Sequence, residues 1–139
     1  MKTRFLCPHC RATLRVRQNI IFKVRTEDHK MGIMLLNSEL GNYSYISSPD
    51  LKFEDGEKIE FMCPVCCENL AAKGISDDLV SVIMIDNKKR ESHVYFSSVS
   101  GEHSTFKIEK DNVVEQYGED SSAYLNYFIK KLKLNLEKA

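Results

Sequence analysis

Two Cys-Pro-x-Cys pairs, Cys7-Pro8-His9-Cys10 and Cys63-Pro64-Val65-Cys66, constrain this chain more than anything else in its 139 residues. A two-residue gap lets both sulfurs of one tight turn reach a single tetrahedral ion, with backbone N–H groups turned toward the thiolates. Proline at the second place holds φ in a turn-compatible well. Each pair is half a site, and two halves of one design predict a single four-cysteine zinc site held by Cys7, Cys10, Cys63 and Cys66. Closing the intervening loop costs about 3–4 kcal/mol of chain entropy, whereas structural zinc supplies an apparent ~10–16 kcal/mol, so the ion suffices to staple the two stretches together. Four thiolates leave no open position for water, and zinc catalysis is not expected there.

Cys67 follows Cys66 directly. It reads as an alternate fourth ligand, a redox-sensitive neighbour or a small, partly buried thiol without a role; spacing favours Cys66 as the ligand, because it reproduces the gap between Cys7 and Cys10. His9 lies inside the first turn, where a side chain usually faces solvent, and His29, His93 and His103 are scattered without ligand spacing. Iron is the less favoured ion: rubredoxins also use two Cys-x-x-Cys pairs but follow each with glycine, where this chain carries Arg11 and Cys67. An odd number of cysteines, four of them in metal-type pairs, points to a reducing compartment. With no apolar run long enough for a membrane span and no signal-peptide core, the expectation is a cytoplasmic protein with no membrane partner.

Lys plus Arg equals Asp plus Glu at 20 each, so overall charge does not announce a nucleic-acid binder. The charge is uneven along the chain. Residues 1–30 carry eight basic side chains against Glu27 and Asp28, and residues 31–86 carry ten acids against three lysines. The basic start includes Arg11, Arg15 and Arg17, which serve either to screen the thiolates or as an interaction surface.

Alternation predicts strands. Leu14 and Val16, then Ile20, Phe22 and Val24, interleave with Arg15, Arg17, Lys23 and Arg25 around a turn at Gln18-Asn19. A hairpin across residues 31–47 turns near Gly41-Asn42, and another is expected from Leu51 and Phe53 through Asp55-Gly56 to Ile59 and Phe61. Leu79 to Ile85 reads as a central strand, followed by a meander through Val94, Phe96, Phe106, Ile108, Val113 and Val114. No internal repeat is evident, and the rings of Tyr43, Tyr45, Phe53, Phe61, Tyr95, Phe96 and Phe106 read mostly as core. At the end, Asp120 or Ser121 is placed to cap an amphipathic helix whose stripe is Leu125, Phe128, Ile129, Leu132 and Leu136. Its opposite face carries Tyr127, Lys130, Lys131 and Leu134, a second candidate interaction surface. The expected class is β-rich α+β: a zinc-ribbon lobe with an inserted β segment over residues 1–74, then a β-meander plus C-terminal helix over 75–139, packed as one compact unit.

The first knuckle, the stretch Phe53-Glu54-Asp55-Gly56-Glu57-Lys58-Ile59-Glu60-Phe61 and the second knuckle together resemble the zinc-ribbon superfamily. The whole chain, including Met34-Leu35-Leu36-Asn37-Ser38-Glu39-Leu40-Gly41-Asn42-Tyr43, is similar to small bacterial zinc-ribbon proteins with two Cys-Pro-x-Cys knuckles. The resemblance implies a binding or scaffolding module and brings no activity with it. Phosphate loops, dinucleotide fingerprints, zinc-protease helices and nucleophile elbows are missing from the sequence. The expected function is therefore a non-catalytic zinc protein acting as an interaction or adaptor module, with a protein partner favoured over nucleic acid. The alternative is a rubredoxin-like electron carrier or cysteine-based redox sensor.

Overall fold

The computed structural model describes residues 3–109 and 112–124. In chain order the strands are β1 (Arg4–Leu6), β2 (Arg15–Val16), β3 (Asn19–Arg25), β4 (Met31–Asn37), β5 (Tyr45–Ser47), β6 (Glu60–Met62), β7 (Ala71–Ala72), β8 (Ser76–Ile85), β9 (Glu91–Ser97), β10 (Thr105–Glu109) and β11 (Asn112–Tyr117). They form two antiparallel sheets. One runs β1-β8-β9-β10-β11 with β7 also on β8; the other runs β2-β3-β4-β5 with β6 also on β3. Alternation explains β3, where Ile20, Phe22 and Val24 point into the core while Lys23 and Arg25 point away.

The two sheets repeat one another, although the sequence shows no obvious duplication. Leu36 pairs with Tyr45 and Leu35 with Ile46 in the first half; Phe96 pairs with Thr105 and Tyr95 with Phe106 in the second. Each half also takes its remaining neighbour from the other. Strand β6, which leads into the second knuckle, lies on β3 with Phe61 opposite Val24, and β1, which leads into the first knuckle, lies on β8 with Phe5 opposite Met84. The turns match as well: the Thr26 amide donates to the Lys30 carbonyl and the Asp86 amide to the Arg90 carbonyl, with His29 and Lys89 both at φ 64°. The two halves have thus exchanged their first strands. Strands β1 and β7, from before residue 75, pair with β8, from after it, so one sheet joins both segments.

Between the sheets lies the main core. Phe22, Phe61 and Phe96 meet pairwise with ring centroids 5.3–5.7 Å apart, packed with Phe5, Leu14, Val24, Val80, Val82 and Val94. Edge-to-face geometry at Phe22–Phe61 and Phe61–Phe96 suits the ring quadrupoles. A second cluster, on the outer face of the first sheet, joins Leu79, Tyr95, Phe106, Ile108 and Tyr124.

Several expectations are corrected. The described residues are almost all β rather than α+β, and the arrangement is not one ribbon with an insert: the segment between the knuckles supplies all five strands of one sheet. Helical geometry among the described residues is confined to 122–124. Asp120, expected as a cap, instead accepts the His103 amide at 2.9 Å, and the Ser121 hydroxyl accepts Gln116 Nε2 at 2.7 Å. The rest of the expected C-terminal helix, with Tyr127, Lys130, Lys131 and Leu134, lies outside the described residues. The hairpin expected across 51–61 does not form, because β6 finds its partner in β3 and Leu51 and Phe53 pack on the core in irregular backbone. Tyr45, expected inside, is 52% exposed. No described helix is long and apolar enough to cross a membrane.

Candidate metal centre

Each knuckle is a turn closed by its own backbone. In the first, the Arg11 amide donates to the Cys7 carbonyl at 2.9 Å and the Cys7 amide to the Ala12 carbonyl at 3.0 Å; in the second, Cys67 donates to Cys63 and Cys63 to Glu68 at the same two distances. This folding aims two amides at the first sulfur of each pair. His9 N and Cys10 N donate to Cys7 Sγ at 3.3 and 3.4 Å, and Val65 N and Cys66 N donate to Cys63 Sγ at 3.3 and 3.4 Å. Such bonds stabilise a thiolate in place.

The residue after each second cysteine, Arg11 at φ 61° and Cys67 at φ 64°, adopts the left-handed conformation that glycine reaches most readily. The knuckle therefore demands this backbone whichever side chain occupies it. With Arg11 and Cys67 in place of glycine at these two positions, the sequence conceals that demand.

The strand exchange brings the two knuckles face to face. Cys7 Sγ lies 3.8 Å from Cys66 Sγ, Cys10 Sγ lies 3.7 Å from Cys63 Sγ, and all four sulfurs fall within 4.8 Å of one another. A tetrahedron of zinc–sulfur bonds of ~2.3 Å has edges of ~3.8 Å, so the cluster is nearly the size that one ion requires. Among the described residues this is the one group of three or more ligating side chains so placed. Cys7 and Cys63 are fully buried, Cys66 is half-buried and Cys10 is exposed. The donor set fits a soft or borderline divalent ion.

Electrostatics points the same way. Burial raises the Cys7 thiol against the lowering pull of the Cys10 and His9 amides. At Cys63 burial acts upward too, but the Cys66 and Val65 amides and the thiols of Cys7 and Cys10 outweigh it, and the group is lowered. At Cys66 the Glu68 amide pulls down, yet burial and the thiols of Cys63, Cys10 and Cys7 push it up to about 12. The pocket of sulfur thus accepts a first negative charge readily and resists more. A bound divalent cation removes that resistance.

The other predicted residues are placed differently. Cys67 is exposed, outside the four-sulfur group, with Lys23 Nζ 3.7 Å from its sulfur. His9 does not join the ligands; its Nε2 meets the Asn69 carbonyl at 3.3 Å, tying one knuckle to the other. Arg11 pairs with Glu91 at 3.2 Å, both groups well exposed. Arg15 is committed to backbone, donating to the Thr3 carbonyl at 2.6 Å and the Arg17 carbonyl at 2.7 Å, while Arg17 sits in the β2–β3 turn at φ 56°.

One surface escaped the sequence reading. Met31, Ile33 and Leu35 share the outward face of β4, and Ile46 lies opposite Leu35 on β5; Met31, Ile33 and Ile46 are 49%, 40% and 61% exposed. The unbroken apolar run through β4 hid which alternate residues face outward. No protein-family model, curated protein or solved structure matches the chain.

Proposed function

We propose that this chain is a non-catalytic protein organised by one structural zinc ion, held by Cys7, Cys10, Cys63 and Cys66, and that it serves as an adaptor for a protein partner. The observation that carries the zinc reading is the near-tetrahedral spacing of the four sulfurs. The ion supplies a crosslink between the two halves, and the residues around it orient and shield its ligands. Two cysteine knuckles carried on β-hairpins also support the resemblance to zinc ribbons.

The adaptor reading draws on the outward apolar face of β4 and β5, since contiguous exposed apolar groups mark contact surfaces more often than isolated ones. A protein partner is favoured over nucleic acid by the zero net charge and by the engagement of Arg11 and Arg15 within the chain. Nucleic-acid binding through phosphate wants those side chains free.

An iron-loaded, rubredoxin-like electron carrier is the second reading. It draws on the left-handed backbone at Arg11 and Cys67, which reproduces what glycine provides in that family. Elemental analysis separates the two: one zinc per chain in a colourless protein is expected, and a coloured, iron-loaded protein sinks the zinc reading. For the adaptor role, native co-purification is compared between wild type and the Ile33→Lys/Ile46→Lys pair. A protein captured by the former and lost from the latter, with metal content unchanged, is expected; equal capture or no capture argues against an adaptor.

A further inference from the structure

Away from the sulfurs, the two halves leave a cleft of about 420 Å³ between the sheets. That volume lies within the ~300–1,000 Å³ range of small-molecule sites, and the position between two structural units is a common one for them. Its floor is apolar: Met34, Leu36, Leu40, Phe53, Val94 and Phe96 contribute from both halves. Ser104 also forms part of the wall, and its hydroxyl is the one buried side-chain N or O atom among the described residues without a hydrogen-bond partner. A buried hydroxyl left unpaired is costly unless something else satisfies it.

The charged groups of the wall are one-sided. Glu39, Asp55 and Glu102 line the cleft, and among the described residues no lysine or arginine does. None of the three carboxylates has an ion-pair partner among the described residues. Glu102 holds its place through Oε1, which accepts Ser97 Oγ at 2.7 Å and the Tyr124 hydroxyl at 2.5 Å. His103, which also lines the wall, stacks on Tyr43 with centroids 4.4 Å apart and places Nδ1 2.9 Å from Glu119. Aromatic faces and unpaired carboxylates around an apolar floor suit one chemical class.

We propose that the cleft between the sheets binds a small amphipathic amine, an apolar body carrying one ammonium group. The body lies against Leu36, Val94 and Phe96, and the ammonium group sits at the rim facing Glu39, Asp55 and Glu102. The inference does not depend on the metal's identity or on a protein partner.

The test uses the full-length, metal-loaded protein and three probes of one shape: 4-phenylbutylamine, 4-phenylbutanol and 4-phenylbutyrate. Binding is followed by titration of backbone amide NMR shifts. The amine is expected to bind at least tenfold more tightly than the butyrate, with the alcohol between them, and to shift the amides of Leu36, Phe96 and Ser104. Neutralising the rim with Glu39→Gln, Asp55→Asn and Glu102→Gln is expected to bring the amine down to the alcohol's affinity. Should the change at Glu102 disturb the fold through Tyr124, the Glu39→Gln/Asp55→Asn pair alone is expected to remove part of the preference and leave the amide spectrum otherwise intact. Equal affinity for amine and butyrate, shifts confined to another region, or a preference untouched by these substitutions overturns the proposal.

Discussion

At the scale of single residues, the five cysteines fall into three environments that predict different losses. Cys63 is buried, takes two amide bonds on sulfur and is the thiol whose ionisation the surroundings favour. Cys63→Ser is therefore expected to drop zinc below one ion per chain and abolish cooperative unfolding, whereas Cys67→Ser keeps a full zinc load; metal analysis after gel filtration reads both. A non-glycine residue held in the left-handed region carries roughly 1–2 kcal/mol of strain, partly offset by the greater unfolded-state freedom of glycine. Cys67→Gly is thus expected to raise stability by about 0.5–1 kcal/mol at saturating zinc, and Cys67→Val to lower it. A denaturation midpoint unmoved by Cys67→Gly contradicts the strain argument. The four-sulfur cluster was legible in the sequence because the constraint is local, two sulfurs on one turn. The strained positions were not, since their usual signal is glycine and both carry other side chains.

At the scale of elements, legibility followed the range of the pairing. Strand β3 and the β4–β5 and β8–β9 hairpins were readable, because alternation and turn residues encode neighbours close in sequence. The placement of β6 on β3 and of β1 on β8 was not, because nothing within either short strand names its distant partner. The duplication hid for a related reason: Phe5, Cys7, Pro8, Cys10 and Leu14 recur as Phe61, Cys63, Pro64, Cys66 and Leu70, but outside the knuckles the likeness lies mainly in the pattern of pairing. The matching turns test it. Asp86 accepts the Lys88 and Arg90 amides at 2.8 and 2.9 Å, and Thr26 Oγ1 accepts the Lys30 amide at 3.3 Å from the corresponding place. Asp86→Thr is accordingly expected to retain more stability than Asp86→Ala, which leaves those amides to water. The Arg90 amide and guanidinium, with the Lys88 amide, hold the Asp86 carboxyl below its ordinary value. A lowered folded-state value means that its contribution is present above the ordinary carboxylate range and lost as pH falls through the lowered one. The gap in melting temperature between wild type and Asp86→Ala should stay flat from about pH 8 to about pH 5, where the carboxyl remains ionised in both folded and unfolded chains. A gap that closes steadily across that interval assigns the effect to another group.

At the scale of the whole molecule, the strand exchange and the sulfur cluster act on the same junction. Strand β1 belongs to one sheet by pairing and delivers Cys7 and Cys10; β6 belongs to the other and delivers Cys63 and Cys66. On the proposed zinc reading, release of the ion would free both knuckles, and each knuckle anchors a strand on the opposite half. Phe5 and Phe61, next to the knuckles, also enter the core shared by the two sheets, so neither sheet can shed its exchanged strand without opening that core. Loss of metal is therefore expected to weaken both sheets together rather than one lobe. If the folded state alone binds zinc, each tenfold increase in free zinc above saturation adds about 1.4 kcal/mol to the apparent stability. Urea titrations at buffered free zinc measure that slope, while hydrogen exchange followed residue by residue reports where opening occurs. The expected result is a common loss of protection in β3 and β8 on chelation, because each is the strand that receives the other half's contribution. Protection that survives in β8 while β3 opens shows two independent lobes and contradicts a metal that joins exchanged halves.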